Sequence, residues 1–161
     1  MKITKLLTLT ATISLASSVQ AYDIHQASEL VVGSQFQDKW NQASTYQAGQ
    51  NNDAGIFQSG ARNNTTIVQI GLSNQALSTQ YGLGNDARIL QSGLGLEAKV
   101  TQAGIGHDAS ILQSGYGKEA SVKQHGIKGN VDLVQLGNSR RNPVEVIQFS
   151  RGHAAIQVIQ Y

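Results

Sequence analysis

Residues Asp86–Gly126 read DARILQSG LGL EAKVTQAG IGH DASILQSG YGK EASVKQHG, and the fold follows from how this stretch repeats. The block Asp86–Gly93 returns 22 residues later as Asp108–Gly115, with only Arg88 changed to Ser110. Glu97–Gly104 returns at the same distance as Glu119–Gly126, and each 22-residue unit is two similar halves of 11. Such self-similarity is the signature of a repeat architecture and governs every other reading.

Working outward, glutamine recurs every 11 residues at Gln47, Gln58, Gln69, Gln80, Gln91, Gln102, Gln113, Gln124 and Gln135. Gln148 and Gln160 continue the series at spacings of 13 and 12. Two residues after the first nine stands a glycine: Gly49, Gly60, Gly71, Gly82, Gly93, Gly104, Gly115, Gly126 and Gly137. A small residue usually precedes the next glutamine by four, and Asn52, Asn63, Asn74 and Asn85 stand two before that residue. The half-repeat is Q-x-G-x-x-N-x-A-x-x-x-Q.

Within each half-repeat the pattern alternates. Ala87, Ile89 and Gln91 share one face, and Asp86, Arg88 and Leu90 the other. Period-2 alternation with β-branched residues predicts strands, and a glycine every 11 residues would weaken a helix. Each half-repeat is expected to be a strand of about six residues followed by a tight turn made by the repeat glycine and asparagine. The fold class is therefore all-β: a cross-β, amyloid-like β-solenoid of 22-residue strand-turn-strand-turn coils, about five in number. Stacking puts identical positions about 4.8 Å apart. A buried glutamine is costly alone, but in a column each amide can bond to those above and below, and turn asparagines can do the same. Outside, Val68, Leu90, Leu112 and Val134 would form an apolar column suited to lateral contact. Phe57, Thr79, Thr101, Lys123 and Ile147 would form its mixed counterpart.

Residues 1–21 read as a secretory signal: Lys2 and Lys5, an apolar run over Leu6–Ala16, and Val19-Gln20-Ala21 as the cleavage site. Removing the two lysines leaves 10 basic and 10 acidic residues of the chain's 12 and 10. Zero net charge suits a chain that stacks on itself better than one that stays dispersed. Residues 22–42 do not follow the repeat and read as a flexible leader, 43–138 as regular repeats, and 139–161 as a divergent basic repeat. That last unit holds Arg140, Arg141, the single proline Pro143 and Arg151, and is expected to cap the stack or contact an anionic surface.

The half-repeat behind a secretory signal resembles the curlin repeat, over about residues 41–160. Curlins are subunits of curli, the extracellular amyloid fibres of bacterial biofilms. The resemblance implies a secreted chain exported through the periplasm and a dedicated outer-membrane channel with its accessory proteins. It also implies polymerisation with itself and with the major curlin at the cell surface. Tyr22-Asp23-Ile24, Asn41-Gln42-Ala43 leading into Gln47–Ala54, and the ending Ala155–Tyr161 look most like the minor, nucleating subunit, whose last repeat the family uses for surface attachment. Leu96, His107 and Lys118 depart from the turn asparagine and should weaken that column. The alternative within the family is the major fibre subunit.

Other solenoid functions fit less well. A polysaccharide-cleaving β-helix uses paired carboxylates. Asp86 with Asp108 and Glu97 with Glu119 would stack, but at outer strand starts with no inserted loop to wall a cleft. An ice-binding array needs columns of threonine, and here Phe57 and Lys123 flank Thr79 and Thr101. His25, His107, His125 and His153 share no 22-residue column, so no metal is expected. Neither a cofactor nor a catalytic residue is expected. No basic stripe interleaved with aromatics points to nucleic acid.

Overall fold

The computed structural model describes residues 18–21, 40–137 and 143–161. The expected apolar run of the signal, the leader 22–39, Arg140 and Arg141 lie outside them. Among the described residues ten strands follow one another: β1(Ser18–Ala21), β2(Gln42–Gln50), β3(Asp53–Ala61), β4(Asn64–Leu72), β5(Gln75–Leu83), β6(Asp86–Leu94), β7(Glu97–Ile105), β8(Asp108–Tyr116), β9(Glu119–Gln135) and β10(Val144–Gln160).

Alternate strands pair in parallel at an offset of 22 residues: β2 with β4, β4 with β6 and β6 with β8 on one side, β3 with β5 and β5 with β7 on the other. Strand β9 runs through a corner and serves both sides. Its first half pairs with β7 and Asn130–Gln135 pairs with β8. Strand β10 repeats this one level on, with a register shift between Arg151 and Ala154. The result is a β-solenoid of about five 22-residue coils. At the N-terminal end β1 pairs antiparallel with Ala43–Tyr46 of β2.

The core is the narrow space between the two parallel sheets. Ile67, Ile89, Ile111 and Leu133 from one sheet and Val100 and Val122 from the other are 0–1% exposed. Most half-coils contribute a small–aliphatic–glutamine triplet, with Ser78 in the aliphatic place of β5, so each level buries much what its neighbours bury.

The strands are longer than the six residues expected. From β2 to β8 each spans nine, because pairing runs on through the glutamine and the repeat glycine. Of the glycines read as turn residues, Gly49 to Gly115 therefore lie inside strands near their ends and Gly126 within β9, while Gly137 lies beyond the end of β9. They do hold positive φ (113° at Gly49, 121° at Gly71, 120° at Gly115), but the column they form explains them better. A Cβ on Gly71 would collide with the backbone carbonyl of Gly93, and one on Gly93 with that of Gly115. All coils adopt the same distortion together, so the ladder survives it. The actual corners are two residues long, as at Asn51-Asn52 and Gly95-Leu96. The first residue of a corner is left-handed, whether Asn51, Arg62, Ser73, Gly84 or Gly95 (φ 55–64°).

Candidate functional site

Because side chains alternate along a strand, the strand parity that buries Ala87 and Ile89 also turns Gln91 inward. Two columns of glutamine result. In the first, Nε2 of Gln47 donates to Oε1 of Gln69 (2.7 Å), Gln69 to Gln91 (2.9 Å), Gln91 to Gln113 (2.9 Å), Gln113 to Gln135 (2.8 Å) and Gln135 to Gln160 (2.9 Å). In the second, Gln58 donates to Gln80 (2.8 Å), Gln80 to Gln102 (2.8 Å), Gln102 to Gln124 (2.9 Å) and Gln124 to Gln148 (2.9 Å). Gln69, Gln80, Gln91, Gln102, Gln113 and Gln124 are fully buried.

From Gln58 to Gln148 the amides also reach across the coil. Nε2 of Gln69, Gln91, Gln102 and Gln113 donates to the backbone carbonyls of Asp53 (2.8 Å), Gln75 (2.9 Å), Asp86 (2.8 Å) and Glu97 (2.9 Å). One hydrogen runs along the solenoid and the other ties the two sheets together. The second bond has a further consequence: only the nitrogen can face a carbonyl, so it fixes which amide atom points which way.

The asparagines occupy the second corner position and also point inward. Oδ1 of Asn52 accepts from Nδ2 and the backbone N of Asn74 (3.1 Å each), and Oδ1 of Asn63 likewise from Asn85 (3.0 and 3.1 Å). Nδ2 of Asn74 donates in addition to the carbonyls of Ile70 and Gly93 (3.3 and 3.2 Å). Asn41 begins one of these columns, its Oδ1 accepting from Asn63.

Both columns change character in the middle. Oδ1 of Asn74 accepts only the backbone N of Leu96, and Oδ1 of Asn85 only that of His107. Leu96, His107 and Lys118 are each 1% exposed at the position asparagine holds earlier. The Gly129 backbone N donates to His107 Nδ1 (3.1 Å), while the buried His107 Nε2 has no hydrogen-bond partner. Burial holds this imidazole below the usual histidine range, helped by the charge of His125 and opposed by the carbonyls of Gly126 and Ala103.

The carboxylates considered for catalysis stack in register on the outer surface, Asp86 beside Asp108 and Glu97 beside Glu119. Partial desolvation raises Asp108 above the usual carboxylate range, reinforced by Asp86 and Asp132 and opposed by Arg88. Among the described residues no group of three or more His, Cys, Asp or Glu is placed to hold a metal ion. Arg151 is exposed on β10 beside the register shift, and Arg140 and Arg141 lie outside the described residues.

Three features escaped the sequence reading. Thr65 and Ser78 form a hydroxyl pair inside the core (3.1 Å), with Thr65 Oγ1 also donating to Gln80 Oε1 (2.9 Å). The left-handed corner position carries too many residue types to stand out, although G-x-G in Gly82–Gly84 and Gly93–Gly95 marks it locally. Two exposed apolar columns flank the corners: Leu72, Leu94 and Tyr116 on one side, Leu83, Ile105 and Ile127 on the other. The column Val68, Leu90, Leu112, Val134 is in register and partly exposed, extended by Tyr46 and Ile159.

The fold and its columns define a class: a β-solenoid whose identical coils are tied along the axis by side-chain amides. A protein-family model, the Curlin associated repeat, matches residues 60–93 and 71–104, within the most regular coils. No curated protein and no solved structure matches the chain.

Proposed function

We propose that the chain is a structural subunit of extracellular curli-type amyloid fibres, in the role of the minor subunit that nucleates the major curlin. The observation that carries this is the pair of uninterrupted parallel glutamine columns, which run through every coil and stop only at the two ends of the stack. Ends of this kind present unpaired backbone and amide groups, on which a like chain can add strands in register. Nucleation of such a fold is slow because non-local pairs must close before they stabilise anything. A preformed stack removes that step for the next chain.

The similarity of residues 60–104 to the curlin repeat supports a place in the fibre. Support for the minor role comes from the irregular, basic last coil around Arg151, whereas the loss of corner asparagine at Leu96, His107 and Lys118 departs from the family's repeat and does not favour it. Export through the periplasm and outer-membrane channel after removal of residues 1–21, and attachment to the outer cell surface through Arg140, Arg141 and Arg151, belong to the same proposal. The columns need no cofactor and leave no catalytic task.

The test is seeding. A trace of the chain from Tyr22 is added to major curlin monomer and thioflavin fluorescence is followed. A shortened lag, lost when residues 140–161 are deleted, is the expected result. Rapid self-assembly without seeding would make the chain a major subunit. A monomer that does neither would sink the fibre reading.

A further inference from the structure

Both glutamine columns point the same way. In every rung the residue nearer the N-terminus donates Nε2 and the one 22 or more residues later accepts through Oε1, and the cross-coil carbonyls make the other orientation unavailable. The solenoid therefore has unlike ends. Among the described residues nothing donates to Oε1 of Gln47 or Gln58 at the N-terminal end. At the other end the columns stop at Gln160 and at Gln148, whose Nε2 bonds the carbonyls of Asn130 and Ala154 (3.3 and 3.0 Å) and would share a hydrogen with the next rung. Two N-terminal ends brought together would oppose carbonyl oxygens, and two C-terminal ends would oppose amide hydrogens. Only unlike ends match.

The half-repeats add a rotational rule. Strands β2 to β8 supply one half-coil each, and β9 and β10 two each, eleven in all among the described residues. Successive half-coils alternate between sheets. Continuing the columns without a gap therefore places β2 of a second copy on the sheet that ends with Val144–Arg151, and β3 on the sheet that ends with Ala154–Gln160. That is a half-turn about the solenoid axis. Without the half-turn, one sheet would lack a strand at the joint.

From these two rules we infer that the chain stacks on a second copy of itself tail to head, each copy turned by half a turn, with Gln148 donating to Gln47 and Gln160 to Gln58 of the next. This rests on the fibre-subunit reading and goes further by fixing partner, polarity and rotation. The half-covered core residues at the two ends support it: Ala54 and Ile56 at one, Ile156 and Val158 at the other, each open on the side that the joint would close. The corner asparagines do not reach the last coils, so the glutamine columns carry the joint. Strand β1 lies on the edge of β2 over Ala43–Tyr46. It runs antiparallel, cannot extend a parallel column, and would leave with the expected cleavage after Ala21.

The chain has no cysteine, so single cysteines report the joint directly. Tyr46, Phe57, Ile147 and Ile159 each precede a ladder glutamine and are 40–52% exposed. Adjacent strands lie about 4.8 Å apart, within disulfide reach. Mixtures of singly substituted chains are oxidised during assembly, both as the full chain and as the chain from Tyr22. Disulfide dimers are expected between I147C and Y46C chains and between I159C and F57C chains, with less from the full chain. Same-site dimers of Y46C or F57C would show like ends meeting and overturn the inference. Dimers of I159C with Y46C would show stacking without the half-turn and overturn it as well, as would no dimer in any mixture. Seeding of the major curlin without the expected dimers removes the joint but leaves the fibre reading. The dimers without seeding do the reverse.

Discussion

Gly71 and Gly95 are both glycines with positive φ, 121° and 59°, yet their reasons differ. A Cβ at Gly71 meets the Gly93 carbonyl, backbone against backbone, whereas one at Gly95 meets nothing within 4 Å. Gly71→Ala must separate two coils, and we expect it to cost upwards of about 3 kcal/mol, at the severe end of single substitutions. Gly95→Ala carries only the left-handed penalty of about 1–2 kcal/mol, and Gly95→Asn less, as Asn51 at the equivalent corner suggests. Urea titration of the two alanine variants checks the order, and equal midpoints would refute it. The glutamines can be weighed in the same way. Gln91→Ala leaves Gln69 without its axial acceptor and the buried Gln113 Oε1 without its axial donor, takes the side-chain donor from the Gln75 carbonyl, and opens a cavity. At about 1–3 kcal/mol for each orphaned group, a loss of about 3–6 kcal/mol is expected from the same titration. The spacing of Gln and Gly was plain in the sequence. That glycine is required by contact between coils was not, because a clash with residue i+22 appears only once register is known.

At the scale of the strand, alternation in Ala87-Arg88-Ile89-Leu90-Gln91 was enough to predict the strand, its buried face and its partner 22 residues away. Strand length is not legible there, because glycine reads as a stop when seen alone and as a tolerated distortion when every neighbour shares it. The corners between strands hold the pH response. Unfolded, His107 takes up a proton near pH 6.5, but folded it does so only at lower pH. Its contribution is therefore whole above about pH 6.5 and is lost as pH falls towards the lowered value. Asp108 has the opposite sign: its raised value means that folded chain gains stability as pH falls through it. Thermal melts from pH 7.5 downward should show a decline from His107 and then partial recovery. His107→Asn offers Asn85 a further rung and removes the titrating group. We expect it to raise the melting temperature, by about 1 kcal/mol of added stability, and to erase the decline. An unchanged decline would place its origin elsewhere.

At the scale of the whole molecule, each coil touches only its neighbours, so stability should be close to a sum over coils and interfaces. The unit of that sum can be tested by deletion. Removing residues 86–107 joins Asn85 to Asp108, lets β4 meet β8 and β5 meet β9, and aligns Gln69 with Gln113 and Gln80 with Gln124. Removing only residues 86–96 joins Asn85 to Glu97 and moves every later strand to the opposite sheet, where Gln69 meets Gln102 and Gln80 meets Gln113. Small, aliphatic and glutamine positions still coincide, because the two halves of the repeat are equivalent. Removing residues 86–95 instead shifts parity by one, turning Gln102 outward and Thr101 inward along with every later strand. Far-ultraviolet circular dichroism and protease resistance should show intact solenoids for the 22- and 11-residue deletions and loss of structure for the 10-residue one. The 11-residue deletion also leaves an even number of half-coils, so its copies should stack without the half-turn, while the strands that meet, and with them the I147C–Y46C and I159C–F57C pairs, stay the same. If it unfolds while the 22-residue deletion folds, the full coil is the unit, the two sheets are not interchangeable, and the half-turn joint falls with them.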